Sequence, residues 1–322
     1  MAGDGRVIRS FWRIALMAGS GVICLAAGTA CSSSEPSPDP AAVHVEAATK
    51  ETEDWRAKHE ASYRSEWATI AGLHFLEPGS HTAGNAPTND IILPTSVSSP
   101  RIGRFVLTGD VVRFEPERGS QVHISGRPVT QAVDLMDDAA SEPDRLEIGG
   151  IRMVVHRSGA RTSLRVWDPE GELARGFLGF RWFAIQMDYR VTGRLIRDAT
   201  PRDVQVPNTF GDLDTYQTEG VVEFTLKGQT LRLRPFTTRA KRFYFVFRDR
   251  SSGDETYEAA RFLYSDLRDD GTTVLDFNQA YNPPCSFNPY TTCPIPLPEN
   301  RLAVKILAGE RAYPVHVPLP KS

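Results

Sequence analysis

The side chains best suited to chemistry crowd into one stretch, TVLDFNQAYNPPCSFNPYTTCPIPLPENRL, residues 273–302. Asp276, Asn278, Tyr281, Asn282 and Tyr290 supply a carboxylate, two amides and two phenols, a set that can orient a small polar ligand. Pro283, Pro284, Pro294, Pro296 and Pro298 restrict the backbone between them, and a site on rigid backbone is better pre-organised than one on a loose loop. Asp and Asn also bond to nearby backbone in turns, so a purely structural role stands beside the ligand-binding one. Glu310 adds a second carboxylate, and two carboxyl groups in one cleft can run a hydrolysis. Arg161 and Arg165, in RTSLRVWD, lie four apart in an expected strand and share a face. Guanidinium suits a carboxylate or phosphate ligand; Asp188 and Asp249 are alternative partners within the chain.

Cys285 and Cys293 are the only cysteines beyond the N-terminal region. In an oxidising compartment they read as a disulfide, and closing so short a loop would stabilise by about 2.5 kcal/mol. Two thiolates with no nearby His or third Cys are too few for a metal, so no metal is expected. A cysteine nucleophile lacks a neighbouring base in sequence. His59, His74, His81, His123, His156 and His316 are scattered without ligand spacing. No G-x-S-x-G, H-E-x-x-H, phosphate loop or dinucleotide fingerprint occurs, and no cofactor is expected.

The N-terminus reads as an address. Arg6, Arg9 and Arg13 precede an apolar run from Ile14 to Ala27 and small residues before Cys31. That is a secretory signal over residues 1–30, too short to span a bilayer. Cys31 sits where bacterial lipoproteins carry their lipidated cysteine, although Gly28 departs from the usual aliphatic residue. A lipid-anchored protein on the outer face of the cell membrane follows, with a secreted form as the alternative. Residues 31–53 read as a flexible tether. The whole chain carries −3, and residues 1–30 hold three Arg and one Asp, which leaves the remainder near −5. No basic block appears, which argues against nucleic-acid partners.

These side chains need a frame. Trp55, Tyr63, Trp67 and Ile70 mark an amphipathic helix over residues 54–71. Beyond it, strands dominate. Hairpins are expected at 105–114 around Gly109, at 146–155 around Gly149-Gly150, and at 221–233 around Gly228. Phe243 to Phe247 predicts a strand apolar on both faces, with a polar turn from Asp249 to Glu255. Tyr257 to Leu267 reads as a second short helix. The fold class is mainly β and antiparallel: a helix, a β-sandwich at 72–170, and a second β unit at 171–322 that carries the loop.

Two resemblances sharpen this. GSHTAGNAPTNDIILPTSVSS, the following hairpin, and Gly126-Arg127-Pro128-Val129 resemble a forkhead-associated (FHA) sandwich over about Gly72 to His156. Those domains read phosphothreonine with an Arg after the first motif glycine. Here Asn85 follows Gly84, so the resemblance implies the sandwich without that function. TIAGLHFLEPGSHTAGN, RTSLRVWD, RSSGDETYEAARFL, LDFNQAYNPPCSFNPYTTCPIPLPENRL and LAGE together resemble the DUF1684 family over roughly Trp55 to Pro318. That family has no established activity, so its likeness implies architecture and site location alone. The expected function is an envelope lipoprotein that binds a small polar or anionic molecule or a cell-wall fragment beside the 276–293 loop. A hydrolase using Asp276 and Glu310, and a structural interaction module, are the alternatives.

Overall fold

The computed structural model describes residues 40–315 and 317. The expected signal segment, Cys31 and the tether as far as residue 39 lie outside these residues. Among the described residues no helix is long and apolar enough to cross a membrane.

Helix α1 spans Pro40–Glu66. It therefore starts earlier than the expected residue 54, and the second half of the expected tether is helical. Proline is tolerated in a first turn because its missing donor would be unpaired there anyway. The Ala- and Glu-rich sequence that follows favours helix, and Lys50 pairs with Asp54 one turn on at 2.9 Å. Ile70 opens the first strand instead of closing the helix. Trp55, His59 and Tyr63 recur at four-residue steps and pack on Trp182, Tyr281 and Phe287, with ring centroids 4.4–6.1 Å apart. Burial pushes the His59 imidazole down to about 3, so it packs as a neutral ring.

Eleven strands make the sandwich: β1 (Ile70–Leu76), β2 (Gly79–Gly84), β3 (Ile91–Ile92), β4 (Gly103–Thr108), β5 (Val111–Pro116), β6 (His123–Ile124), β7 (Arg127–Pro128), β8 (Val133–Leu135), β9 (Leu146–Ile148), β10 (Ile151–Ser158) and β11 (Arg161–Trp167). One sheet runs β1-β11-β10-β9-β6-β7 and the other β3-β2-β4-β5-β8. The short β2–β3 pairing is parallel. Alternating residues fill the space between the sheets, among them Phe105, Phe114, Leu146, Met153, Leu164 and Val166. The other face of β10–β11 is polar, with His156, Ser158, Arg161, Ser163 and Arg165, yet His156 and Arg165 are buried there. They lie under the second unit.

That unit holds β12 (Arg190–Pro207), β13 (Leu213–Leu226), β14 (Gln229–Leu233), β15 (Phe236–Arg239), β16 (Arg242–Phe247), β17 (Arg261–Asp266) and β18 (Thr272–Asp276). The sheets are β14-β13-β12-β18 and β15-β16-β17. β16 is apolar on both faces because it divides two cores: Phe243, Phe245 and Phe247 enter one, Tyr244 and Val246 the other. The expected second helix over Tyr257–Leu267 is a strand over its latter half. Its apolar residues fit alternation as well as a helical turn, and pairing with β16 decides the matter: Leu263 enters one core and Phe262 the other.

The expected disulfide is also absent. Cys285 and Cys293 are free, buried thiols, 3.0 Å apart where a bond requires about 2.05 Å. Each thiol has its own partners: the Cys285 amide donates to Cys293 Sγ at 3.3 Å, and the Tyr257 hydroxyl to Cys285 Sγ at 3.6 Å. Burial raises the Cys285 thiol well above its ordinary range. Buried asparagines hold the loop instead. Asn288 Nδ2 donates to the Trp67 and Ile70 carbonyls at 2.9 and 2.8 Å, which ties the loop to the end of the helix. Asn300 accepts from the Arg234 amide and donates to the Arg234 and Val246 carbonyls.

Candidate functional site

Strands β17 and β18 follow one another but belong to different sheets, so they part. They touch at Leu267 and Thr273, where the Thr273 and Ser265 hydroxyls meet at 2.7 Å. At the other end Tyr281 bridges to Phe262. Between these points lies a cleft of about 410 Å³, with α1 contributing Glu51 and Trp55 to its lining. Tyr264 is partly exposed in it and stacks on Tyr244, with ring centroids 4.8 Å apart. Arg242 lies over Tyr264 at 5.0 Å and pairs with Asp266 at 2.8 Å. Arg190 pairs with Asp276 at 2.6 Å and Glu51 at 2.8 Å. Burial works against the Arg190 charge, but its bonds to Asp276 and Glu51 outweigh that and raise its pKa. The cleft offers an aromatic wall and a rim of opposite charges that balance.

Of the expected site residues, only Asp276 lines this cleft. Its carboxylate is committed: Oδ1 accepts from the Asn278 amide at 3.0 Å and Nδ2 at 2.9 Å, and Oδ2 accepts from Arg190 and the Thr52 hydroxyl. It caps the short 3₁₀ turn Phe277–Gln279. Asn278 is spent on the Gln186 amide and carbonyl. Tyr281 is buried among aromatic rings. Tyr290 is partly exposed, and its amide donates to Asn288 Oδ1. Asn282 donates to both oxygens of Glu310 at 2.8 Å. Glu310 is fully buried, and that burial raises its pKa to about 8 despite those donors. Asp276 and Glu310 therefore share no opening, and a hydrolysis by that pair has no geometric support.

The two arginines do not serve this cleft either. Arg161 takes Asp212 in a two-pronged pair at 2.6 and 2.7 Å and stacks on Phe75 at 3.8 Å. Arg165 lies near Asp138 at 3.7 Å. Their partners are thus neither Asp188 nor Asp249; Asp249 takes the buried Arg261 at 2.7 Å.

Around Arg165 a second constellation appears that the sequence scatters. His156 Nδ1 lies 2.6 Å from Asp138 Oδ2, and His156 Nε2 lies 3.1 Å from Thr292 Oγ1. Arg165 Nη2 reaches Thr292 Oγ1 at 3.5 Å, and its buried Nε has no partner among the described residues. Burial would raise the Asp138 carboxyl, but its bonds to His156 and the Arg157 amide, with the Arg165 charge, hold it below the usual range. Burial lowers His156, with Asp138 opposing. These residues come from 138, 156, 165 and 292, with no common motif. The cleft residues Arg242 and Asp266 were equally hidden, since only the β16–β17 register sets them opposite each other.

Residues 175–311 match the family described as "Protein of unknown function (DUF1684)", a narrower span than the expected Trp55 to Pro318. The chain is 30% identical to an uncharacterized protein of Haloarcula marismortui solved by solution NMR, over 45% of this chain and 82% of that one, with a TM-score of 0.37. It also matches the FhaA FHA domain in a complex with an intracellular domain, at 20% identity over 29% of this chain and 96% of that one. A further FHA domain, from a study of phosphothreonine-dependent interactions, matches at 20% identity over 30% and 93%. Both FHA matches have a TM-score of 0.21. No curated protein matches the chain. The residues that frame the cleft, from Arg190 to Gln279 on the strand side, fall within the matched span, and it is over residues 175–311 that the chain belongs to the DUF1684 family.

Proposed function

We propose that this is a lipid-anchored envelope protein whose cleft between β17 and β18 binds a small polar molecule, such as a saccharide fragment of the cell wall. The observation that carries the reading is the cleft itself, an aromatic wall with charges of both signs around it. Ligand pockets commonly combine an apolar or aromatic lining with a few placed polar groups. Arg190 and Arg242 already have carboxylate partners, so a ligand rich in both donors and acceptors suits the rim better than a bare anion. Trp55 and Tyr264 offer aromatic surface to a sugar ring. The anchor reading rests on Arg6, Arg9, Arg13, the apolar run and Cys31.

The test is thermal shift and calorimetry of the full chain against wall saccharides, amino sugars and organic anions. Binding at 100 times Kd raises stability by about 2.7 kcal/mol. Tyr264→Ala is expected to remove the shift while leaving the unliganded melting point near that of the parent. Tyr264 suits this purpose because it is partly exposed, whereas Asp276 holds the turn together. A shift that survives Tyr264→Ala, or no shift with any of these compounds, refutes the reading.

A further inference from the structure

We propose that Asp138, His156 and Thr292 form a carboxylate–imidazole–hydroxyl relay that hydrolyses carboxylic esters of small acyl groups, with Arg165 holding the negative oxygen that develops. This activity is independent of the cleft.

The geometry meets the requirements in order. A nucleophile needs a base within hydrogen-bond reach, and the base needs a third group to orient it. Thr292 Oγ1 to His156 Nε2 is 3.1 Å and His156 Nδ1 to Asp138 Oδ2 is 2.6 Å. Because Asp138 accepts, the ring proton sits on Nδ1 and Nε2 is free to take the hydroxyl proton. Asp138 is held in turn by the Arg157 amide at 3.2 Å. His156 is buried on β10, while Thr292 is partly exposed. Arg165 is buried beside the hydroxyl with an unpartnered Nε, and a buried donor without a partner carries a cost that an oxyanion would relieve. The contrast with the rest of the fold is informative. Asn278, Asn288 and Asn300 bridge backbone groups, as structural amides do. Thr292 Oγ1 instead meets an imidazole and a guanidinium, and bridges no backbone.

In the reaction Thr292 Oγ attacks the ester carbonyl carbon and its proton passes to His156 Nε2. The carbonyl oxygen becomes negative facing Arg165. The bond to the alcohol oxygen breaks, and the alcohol leaves with the proton from His156. Water then attacks the acyl-Thr292 ester by the same relay, releases the carboxylic acid and restores the hydroxyl. Ester and water become acid and alcohol. The methyl group on the Thr292 Cβ crowds the nucleophile, which restricts the acyl group to short chains.

The full chain is incubated with p-nitrophenyl acetate and butyrate, and separately with a fluorophosphonate probe whose attachment site is mapped by mass spectrometry. Expected results are probe on Thr292, faster release from acetate than butyrate, and a fall of about 100-fold or more in His156→Asn. Thr292→Ser retains the activity, and Thr292→Val loses both activity and label. Probe absent from Thr292 in the parent protein overturns the proposal whatever the variants do. So does a Thr292→Val rate equal to the parent's.

Discussion

Single side chains settle much of this protein's stability by how completely they are paired. Arg261 and Asp249 are both wholly buried, and their 2.7 Å contact is backed by Arg261 donating to the Ile306 carbonyl and Asp249 accepting from the Ile306 and Ser251 amides. Removing one member leaves the other charge stranded, which costs about 3–5 kcal/mol. Asp249→Ala is therefore expected to lose that much in a urea melt; a loss under 1 kcal/mol would mean the pair is dispensable. Asn288 is a neutral counterpart. Asn288→Ala takes a donor from the Trp67 and Ile70 carbonyls; the Trp67 carbonyl keeps the Ile70 amide at 3.3 Å, so the cost is about 1–3 kcal/mol for one buried group left unmade. Hydrogen exchange reads this locally: the Ile70 end of β1 should exchange faster than the far strands of the sandwich.

At the level of elements, the short turn carrying Glu310 depends on Gly309. Its φ is +80°, and a Cβ there would stand 2.2 Å from the Ala280 carbonyl oxygen. Gly309→Ala then meets both a left-handed backbone, worth about 1–3 kcal/mol, and a clash with backbone that cannot yield. A melting point within 2 °C of the parent would contradict this. Strands were legible in the sequence wherever a glycine turn separated two alternating runs, as at Gly109, Gly149 and Gly228. Phe243 to Phe247 announced a strand covered on both sides, and RTSLRVWD a strand with both arginines on one face. The helix start was not legible, because Ser, Pro and acidic residues before Ala41 resemble a linker while the following residues favour helix. Tyr257 to Leu267 misled because Ala259, Phe262 and Leu263 satisfy a helical turn and an alternation equally. The cysteines misled in another way: spacing allows a bond, but spacing says nothing of the asparagines that already fix the loop. Of the site, Asp276 was legible as a special residue. Its cleft was not, since Arg190, Arg242 and Tyr264 converge only through strand register and sheet divergence.

For the molecule as a whole, pH acts through the core. Burial raises the Glu310 carboxyl from 4.5 to about 8, so the folded state holds a proton that the unfolded chain releases. Its contribution is fully present below about 4.5, declines as pH rises through that interval, and is lost once pH exceeds about 8. The size is on the order of 5 kcal/mol. Glu310→Gln carries no titrating group, so its stability relative to the parent should improve from pH 5 to pH 9; parallel curves would place the titration elsewhere. Helix α1 has a different consequence. It runs without a break from Pro40 to Glu66, about 40 Å at 1.5 Å per residue, and Glu51, Thr52 and Trp55 reach the cleft and its Asp276 from its middle. Such a rod is a lever. Tension applied at its leading end would arrive at the Arg190–Asp276 contact, because the first turns of the rod and the wall of the cleft are parts of one rigid piece.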